Sequence, residues 1–185
     1  MRLLTALIAA ALALTVVTAC GGGEEAASGA SPEEWTADVC GAISGWKADL
    51  EQRANELQDT AAGASSISEG RDLIVDFLDT TITRTDQMLN EVEAAGNPAV
   101  DDGETIARDF RAELAKIKPI FEDAREKAAA LPDDPQGFAE GAQEIGTAMA
   151  DAGDQVGAEF ESSDKFNSPE LEQAFNDDPA CQQLD

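Results

Sequence analysis

Large apolar side chains recur at steps of three and four residues through four long stretches of this 185-residue chain. Such a period places them on one face of an α-helix, whereas a half-buried strand would alternate strictly between apolar and polar residues. The stretches cover about residues 32–61, 66–95, 102–130 and 135–160. The sequence therefore predicts an all-α fold made of amphipathic helices.

Gly, Pro and Ser residues mark the ends of these helices. The stretch Ser31-Pro32-Glu33-Glu34 is a capping box with proline at the first helical position, which is typical of a helix start. Asp134 is a candidate N-cap for the fourth helix, and Ser168-Pro169-Glu170 predicts a short final helix. Pro119 falls inside the third helix, so we expect a kink or a split near Lys118.

The lengths of the breaks favour one architecture. Four amphipathic helices joined by short connections predict an antiparallel up-and-down four-helix bundle. In that topology the end of the fourth helix lies beside the start of the first. The short C-terminal helix then follows at the same end of the bundle.

The first twenty residues have the anatomy of an export signal. Arg2 is a short basic region, residues 3–17 are an apolar run, and Val17-Thr18-Ala19-Cys20 places small residues before a cysteine. This pattern resembles the bacterial lipoprotein signal, in which the cysteine thiol is diacylated and the preceding chain is removed. The resemblance implies three parts, namely a signal peptide over 1–19, lipidated Cys20 with a flexible tether over 20–30, and a single helical domain over 31–185.

The same resemblance implies a location. A lipid-anchored chain of this kind lies at the extracytoplasmic face of the cell membrane, held there through Cys20. The chain resembles small secreted helical lipoproteins of unassigned function from high-GC Gram-positive bacteria. The likeness rests on the lipobox Val17-Thr18-Ala19-Cys20, the Gly-rich acidic tether, the first helix with its tryptophans and cysteine, and the C-terminal cysteine. In an exported, oxidising setting the remaining Cys40 and Cys181 are expected to form a disulfide that ties the C-terminal helix back to the first helix.

Charge and composition exclude several functions. The chain has 12 Lys and Arg against 38 Asp and Glu, a net charge of -26, so nucleic acid would be repelled. Histidine is absent, which removes His-based nucleophilic triads and His-containing zinc sites. No pair of carboxylates stands out among so many acids. We therefore expect a protein that is not an enzyme and has no cofactor or metal centre, although the acidic surface leaves weak binding of divalent cations open.

Two tryptophans provide a candidate binding site. Trp35 and Trp46 lie eleven residues apart, about three turns, and so share one face of the first helix. Core packing is the simpler interpretation, and the alternative is an aromatic-lined site that also includes Ile145 and Met149 of the fourth helix. Four glycines inside that fourth helix indicate either close approach of a neighbour or a helix that bends: Gly141, Gly146, Gly153 and Gly157.

Two functional hypotheses follow. The first is a non-enzymatic interaction module that binds an unknown protein or peptide of the cell envelope. The second is a carrier or chaperone for an apolar small molecule or lipid held inside the bundle. A carrier requires an internal cavity, whereas an interaction module requires a filled interior and an exposed apolar surface.

Overall fold

A computed structural model describes residues 29–161 and 168–184, and over residues 152–161 it describes the backbone alone. The described part is helical, as the sequence predicted, so the all-α prediction is confirmed. The predicted signal peptide over 1–19, Cys20 and most of the tether lie outside the described residues. The elements are α1 (Pro32–Ala61), α2 (Ile67–Ala94), α3 (Gly103–Leu114), α4 (Ile117–Ala129), α5 (Pro135–Glu161), α6 (Pro169–Asp177) and a short 3₁₀ turn (Cys181–Gln183).

Side-chain caps fix the starts of the helices where the sequence predicted them. At α1 the Ser31 hydroxyl accepts from the Glu34 backbone N–H, and the Glu34 carboxylate accepts from the Ser31 backbone N–H, each over 3.2 Å. The Asp134 carboxylate accepts from a backbone N–H in the first turn of α5 at 2.9 Å. Ser168 caps α6 in the same way at 3.2 Å. Each contact satisfies a backbone donor that has no partner within its helix.

The predicted third helix is split. Helix α3 ends at Leu114 and α4 begins at Ile117, so the break comes just before Lys118. Pro119 is the third residue of α4, a position in the first turn where the missing N–H costs no intrahelical hydrogen bond. The predicted interruption is thus confirmed, and the proline acts by starting a new helix.

Helix α2 lies between α1 and α4 and is antiparallel to both. Towards α1, Trp46 bonds Thr85 and Asp49 pairs with Arg84. Towards α4, two ion pairs about two turns apart join Asp86 to Lys118 and Asp79 to Arg125, and Arg71 pairs with Asp133 in the connection that follows α4. Residue numbers rise along α4 as they fall along α2, which fixes the opposite directions of these two helices. Helix α5 packs on α4, and α6 packs on α1.

The apolar side chains form two clusters along the helices. One contains the start of α1, the end of α2, α3 and α6, and its largest buried members are Trp35, Met88, Phe110 and Leu171. The other contains the middle of α2, α4 and α5, with Leu78, Phe121, Leu131 and Ile145 buried. Trp46 and Ile117 each pack against both clusters and so link them.

The chain is held at the point where it enters the domain. The Ala30 backbone N–H donates to the Asn97 carbonyl at 3.0 Å, and the Ala99 N–H donates to the Ala30 carbonyl at 2.7 Å. Space here is tight, because a Cβ atom added to Gly103 would lie 2.0 Å from the Pro98 carbonyl oxygen. The connection between α2 and α3 is therefore packed directly against the first described residues.

A disulfide joins Cys40 of α1 to Cys181 of the 3₁₀ turn, as predicted. The two Cα atoms are 5.0 Å apart, and the bond closes a loop across 141 positions of sequence. Cys40 is almost fully buried next to Val39 of the first apolar cluster, whereas Cys181 is half-buried. The disulfide holds the end of the chain against the early turns of α1.

We expect replacement of both Cys40 and Cys181 by alanine to lower the free energy of unfolding by about 2–4 kcal/mol, because a long loop is freed in the unfolded state. The measurement is urea unfolding followed by circular dichroism. Wild-type protein kept reduced provides the control and should lose a similar amount. An unchanged unfolding midpoint in the double variant would contradict this expectation.

Gly103→Ala should destabilise the fold by about 1–3 kcal/mol, since the new methyl group overlaps backbone rather than a flexible side chain. Gly41→Ala is the matched control, because a Cβ atom there has no neighbour within 4 Å and glycine is unfavourable inside a helix. That variant should be more stable than wild type by up to about 1 kcal/mol. Thermal unfolding of both variants measures these two effects. Equal changes in the melting temperature of the two variants would argue against the close contact at Gly103.

Candidate functional site

Among the concave surfaces in the described part of the chain, two are candidate binding sites, and both are open to solvent. One, of about 420 Å³, is lined by the polar outer face of α5 from Glu140 to Asp151. The other, of about 210 Å³, lies between α1 and α2 and has apolar as well as charged walls. We name the second one the α1–α2 groove, and its lining residues are Ala42, Gly45, Trp46, Asp49, Arg84, Gln87, Met88 and Glu91.

Trp46 is held in a fixed orientation beside this groove. Its indole N–H donates to the Thr85 hydroxyl at 3.1 Å, and that hydroxyl donates to the Thr81 carbonyl at 2.9 Å. On its inner side the ring meets Phe121 edge-on, with centroids 6.2 Å apart. Trp46 is half-buried, so part of its surface lies in the groove while the rest packs in the core.

A charged network forms one side of the groove. The Asp49 carboxylate accepts from Arg53 at 2.7 Å and pairs with Arg84 at 3.2 Å. Arg84 also donates to the Gln87 side chain at 2.7 Å. The hydrogen bond from Arg53 is the main cause that holds the pKa of Asp49 below its ordinary value, with the charge of Arg84 adding to it. Asp49 therefore stays ionised and already has two cationic partners.

The α1 wall of the groove is low. A Cβ atom built at the lining residue Gly45 meets nothing within 4 Å, and Gly45 is exposed. On the α2 side of the groove, Met88 is 2% exposed and forms part of the apolar floor. The groove is thus open along α1, with the half-buried Trp46 accessible from that side and the buried Met88 beneath it.

The predicted site residues are only partly brought together. Trp46, Ile145 and Met149 belong to the second apolar cluster, as the predicted site requires. Trp35 belongs to the first cluster, where it is 1% exposed and packs edge-on against Phe110 and Phe175. The interpretation of Trp35 as a core residue thus agrees with its surroundings, and the four residues do not line one common surface.

The glycines of α5 have different surroundings from one another. A Cβ atom at Gly141 would lie 2.4 Å from a methyl carbon of Leu131, so the chain approaches closely there. Gly146 is exposed and has nothing within 4 Å of that position. Gly153 and Gly157 fall in the part of α5 described only as backbone. Close approach thus explains Gly141 but not Gly146.

Sequence reasoning missed the polar partners of the groove. Thr81 and Thr85 are fully buried on α2, where the Thr85 hydroxyl accepts from the indole of Trp46, and Arg84 reaches across to Asp49. The cluster of threonines in α2 carried a signal, because threonines four residues apart share one helix face. Which helix that face meets could not be read from its spacing.

Similarity to known proteins, metal-binding clusters and membrane-spanning helices place few constraints on the function. Protein-family models, curated proteins and solved structures give no match to this chain. Over residues 29–161 and 168–184, no group of three or more acidic or cysteine side chains is arranged to hold a metal ion. In the same part of the chain, no helix is long and apolar enough to cross a membrane. Function has to be inferred from the chemistry of the groove.

We expect Asp49→Asn to lower the free energy of unfolding at pH 7 by up to about 1 kcal/mol, as for other partly exposed ion pairs. The pKa of Asp49 is below its ordinary 3.8, so its contribution is present above that pH and is lost as the pH falls through the folded pKa. The gap between variant and wild type should therefore close in strong acid. Urea unfolding from pH 7 to pH 2 measures it.

Asp38→Asn is the control for this titration. Asp38 is exposed on the same helix, and none of the ion pairs found in the described residues includes it. Its replacement should change the unfolding free energy much less at pH 7. If the difference in unfolding free energy between Asp49→Asn and wild type stayed constant down to pH 2, the stabilisation by Asp49 would not be ionic.

Proposed function

We propose that this protein is a lipoprotein of the cell envelope, anchored at the extracytoplasmic face of the membrane by a diacylated Cys20. Its helical domain binds a protein or peptide partner and does not catalyse a reaction. The observation that carries the binding role is the half-buried Trp46, fixed by Thr85 and Phe121 at the edge of an open groove. Rigid, partly exposed aromatic side chains of this kind are typical centres of protein interfaces.

The size of the groove favours a side chain of a partner over a whole small molecule. Pockets for drug-sized ligands enclose about 300–1,000 Å³, and bury most of the ligand. The α1–α2 groove offers about 210 Å³ and is open along α1. A projecting side chain from a larger partner suits such a shallow site.

We also propose that the domain is an up-and-down four-helix bundle in which α3 and α4 together form the third helix. The antiparallel contacts of α2 with α1 and with α4 support this arrangement. The short connection between α4 and α5, and the packing of these two helices on each other, support it further. In this bundle the tether and the C-terminal disulfide lie at the same end.

Such an anchor would keep the groove close to the membrane. Gly29, where the described chain begins, lies nine positions after Cys20, and a random-coil linker of nine steps would span roughly 15–18 Å. Trp46 lies about 20 Å along α1 from its first residue, at 1.5 Å per residue. A partner bound in the groove would therefore also belong to the envelope.

A carrier of an apolar molecule is the second candidate. It is favoured by the ring of half-buried apolar side chains around the second cluster, which includes Phe77, Phe138 and Met149. The burial of Trp35 in a separate, filled cluster speaks against the particular cavity that the sequence suggested. A co-purifying mass of a few hundred daltons in the native mass spectrum of the protein would favour this alternative.

The binding role is tested by photo-crosslinking in the host cell. In the full chain, p-benzoylphenylalanine replaces Gly45, where a side chain enters open space at the groove, or Ala129, which is exposed on α4. We expect an adduct of discrete mass from position 45 and none from position 129. Adducts from neither position, or equally from both, would contradict docking at the groove.

The same cells test the anchor. The wild-type chain should partition with the detergent-rich phase after extraction, and a Cys20→Ser chain should be found in the aqueous phase. The adduct from position 45 should also become weaker, because the unanchored chain is diluted away from an envelope partner. Detergent partition that Cys20→Ser leaves unchanged would contradict the lipid anchor.

A further inference from the structure

We infer that the α1–α2 groove binds a lysine or arginine side chain from a basic segment of the partner, with the aliphatic stem on Trp46 and the cationic group at Glu91. This inference rests on the proposed docking role of the groove and specifies the chemistry of its occupant. Three features support it: the charge of the two helices, the prior pairing of their own cations, and the arrangement of Trp46 and Glu91.

The helices that form the groove are strongly acidic. Helix α1 carries seven acidic and two basic residues, and α2 carries the same numbers. A surface with such an excess of one charge attracts cationic partners and speeds their association. A basic segment is therefore the complement of the groove and its surroundings.

The four basic residues of these helices are already engaged. Arg53 and Arg84 share the Asp49 carboxylate, and Arg71 pairs with Asp133. The Lys47 ammonium group donates to two carbonyl oxygens near the C-terminus, at 3.3 Å each. These cations thus do not neutralise the remaining acids of the groove.

Glu91 is the acid left available at the rim. It is exposed, it lines the groove beside Met88, and no Lys or Arg of the described part of the chain pairs with its side chain. It lies about two turns from Arg84 along α2, at the end of the groove away from Asp49. An incoming cation meets Glu91 without having to displace Arg84.

Trp46 suits the rest of such a side chain. Lysine and arginine place their methylene stems on apolar surface while the charged group stays in water. A cation within about 6 Å of an indole ring is further attracted by its π-electrons, most strongly for tryptophan. Since the indole N–H is bound to Thr85 and the inner side meets Phe121, the ring does not have to be ordered when the partner binds.

Other occupants are disfavoured by the same charge. A second copy of this chain also carries a net charge of -26, so the two copies would repel each other. Anionic lipid headgroups would be repelled for the same reason. A cationic peptide segment gains from the charge that excludes these two.

Hexaarginine amide is the probe for this inference. It is titrated into the full chain, purified in uncharged detergent micelles at 150 mM salt, and followed by the indole N–H resonances of the two tryptophans. We expect the Trp46 resonance to move while that of the buried Trp35, bonded to the Gly96 carbonyl, stays in place. Trp35→Phe and Trp46→Phe chains assign the two resonances.

Glu91→Gln and Glu93→Gln form the matched pair of variants. Both remove one charge from the exposed end of α2, but only Glu91 lines the groove. We expect Glu91→Gln to weaken hexaarginine binding about three- to fivefold more than Glu93→Gln does. Equal weakening by the two variants, or no movement of the Trp46 resonance, would overturn the inference.

The outcome separates this inference from the proposed function. An adduct from position 45 together with an unresponsive Trp46 would leave the docking role in place and reject a cationic occupant. Absence of that adduct would reject docking at the groove itself. A response of Trp46 that hexaglutamate produces equally would also reject recognition by charge.

Discussion

The buried side chain of Trp35 joins four segments of this chain, and the arrangement of the domain depends on it. Its indole N–H donates to the Gly96 carbonyl at 3.1 Å, and Arg111 of α3 donates to the same oxygen. Its ring packs edge-on against Phe110 of α3 and Phe175 of α6. The start of α1, the end of α2, α3 and α6 therefore meet at one residue, and the disulfide fixes this meeting point little more than one turn along α1.

Helix ends and the disulfide could be predicted because their causes are local or few. The caps at Ser31, Asp134 and Ser168 each depend on residues within three positions, so the sequence carries all the information they need. Pro119 likewise marks the break between α3 and α4 through its own missing N–H. The disulfide followed from elimination, since only Cys40 and Cys181 remained to pair once Cys20 was assigned to lipid.

The groove could not be predicted, because it depends on which faces of separate helices meet. Trp35 and Trp46 share one face of α1, yet the first meets α3 and α6 while the second meets α2 and α4. Periodicity gives the direction of a side chain around its own helix and not the identity of its neighbour. The partition into two apolar clusters and the pairing of Asp49 with Arg84 both depend on the identity of the neighbouring helix, and periodicity does not give it.

Helix α2 has one closed side and one open side, and this difference accounts for where a binding surface is found. Its contact with α4 is covered by two ion pairs about two turns apart, and a third joins Arg71 to Asp133 just beyond the end of α4. Its contact with α1 has, among the described residues, a single ion pair between the helices, that of Asp49 with Arg84. Next to this pair, Gly45 has no side chain to cover the groove. In a chain with three acids for each base, cations used on the α4 side are not available to cover the α1 side. The acids and the tryptophan on that side are therefore left to a partner that brings its own positive charge.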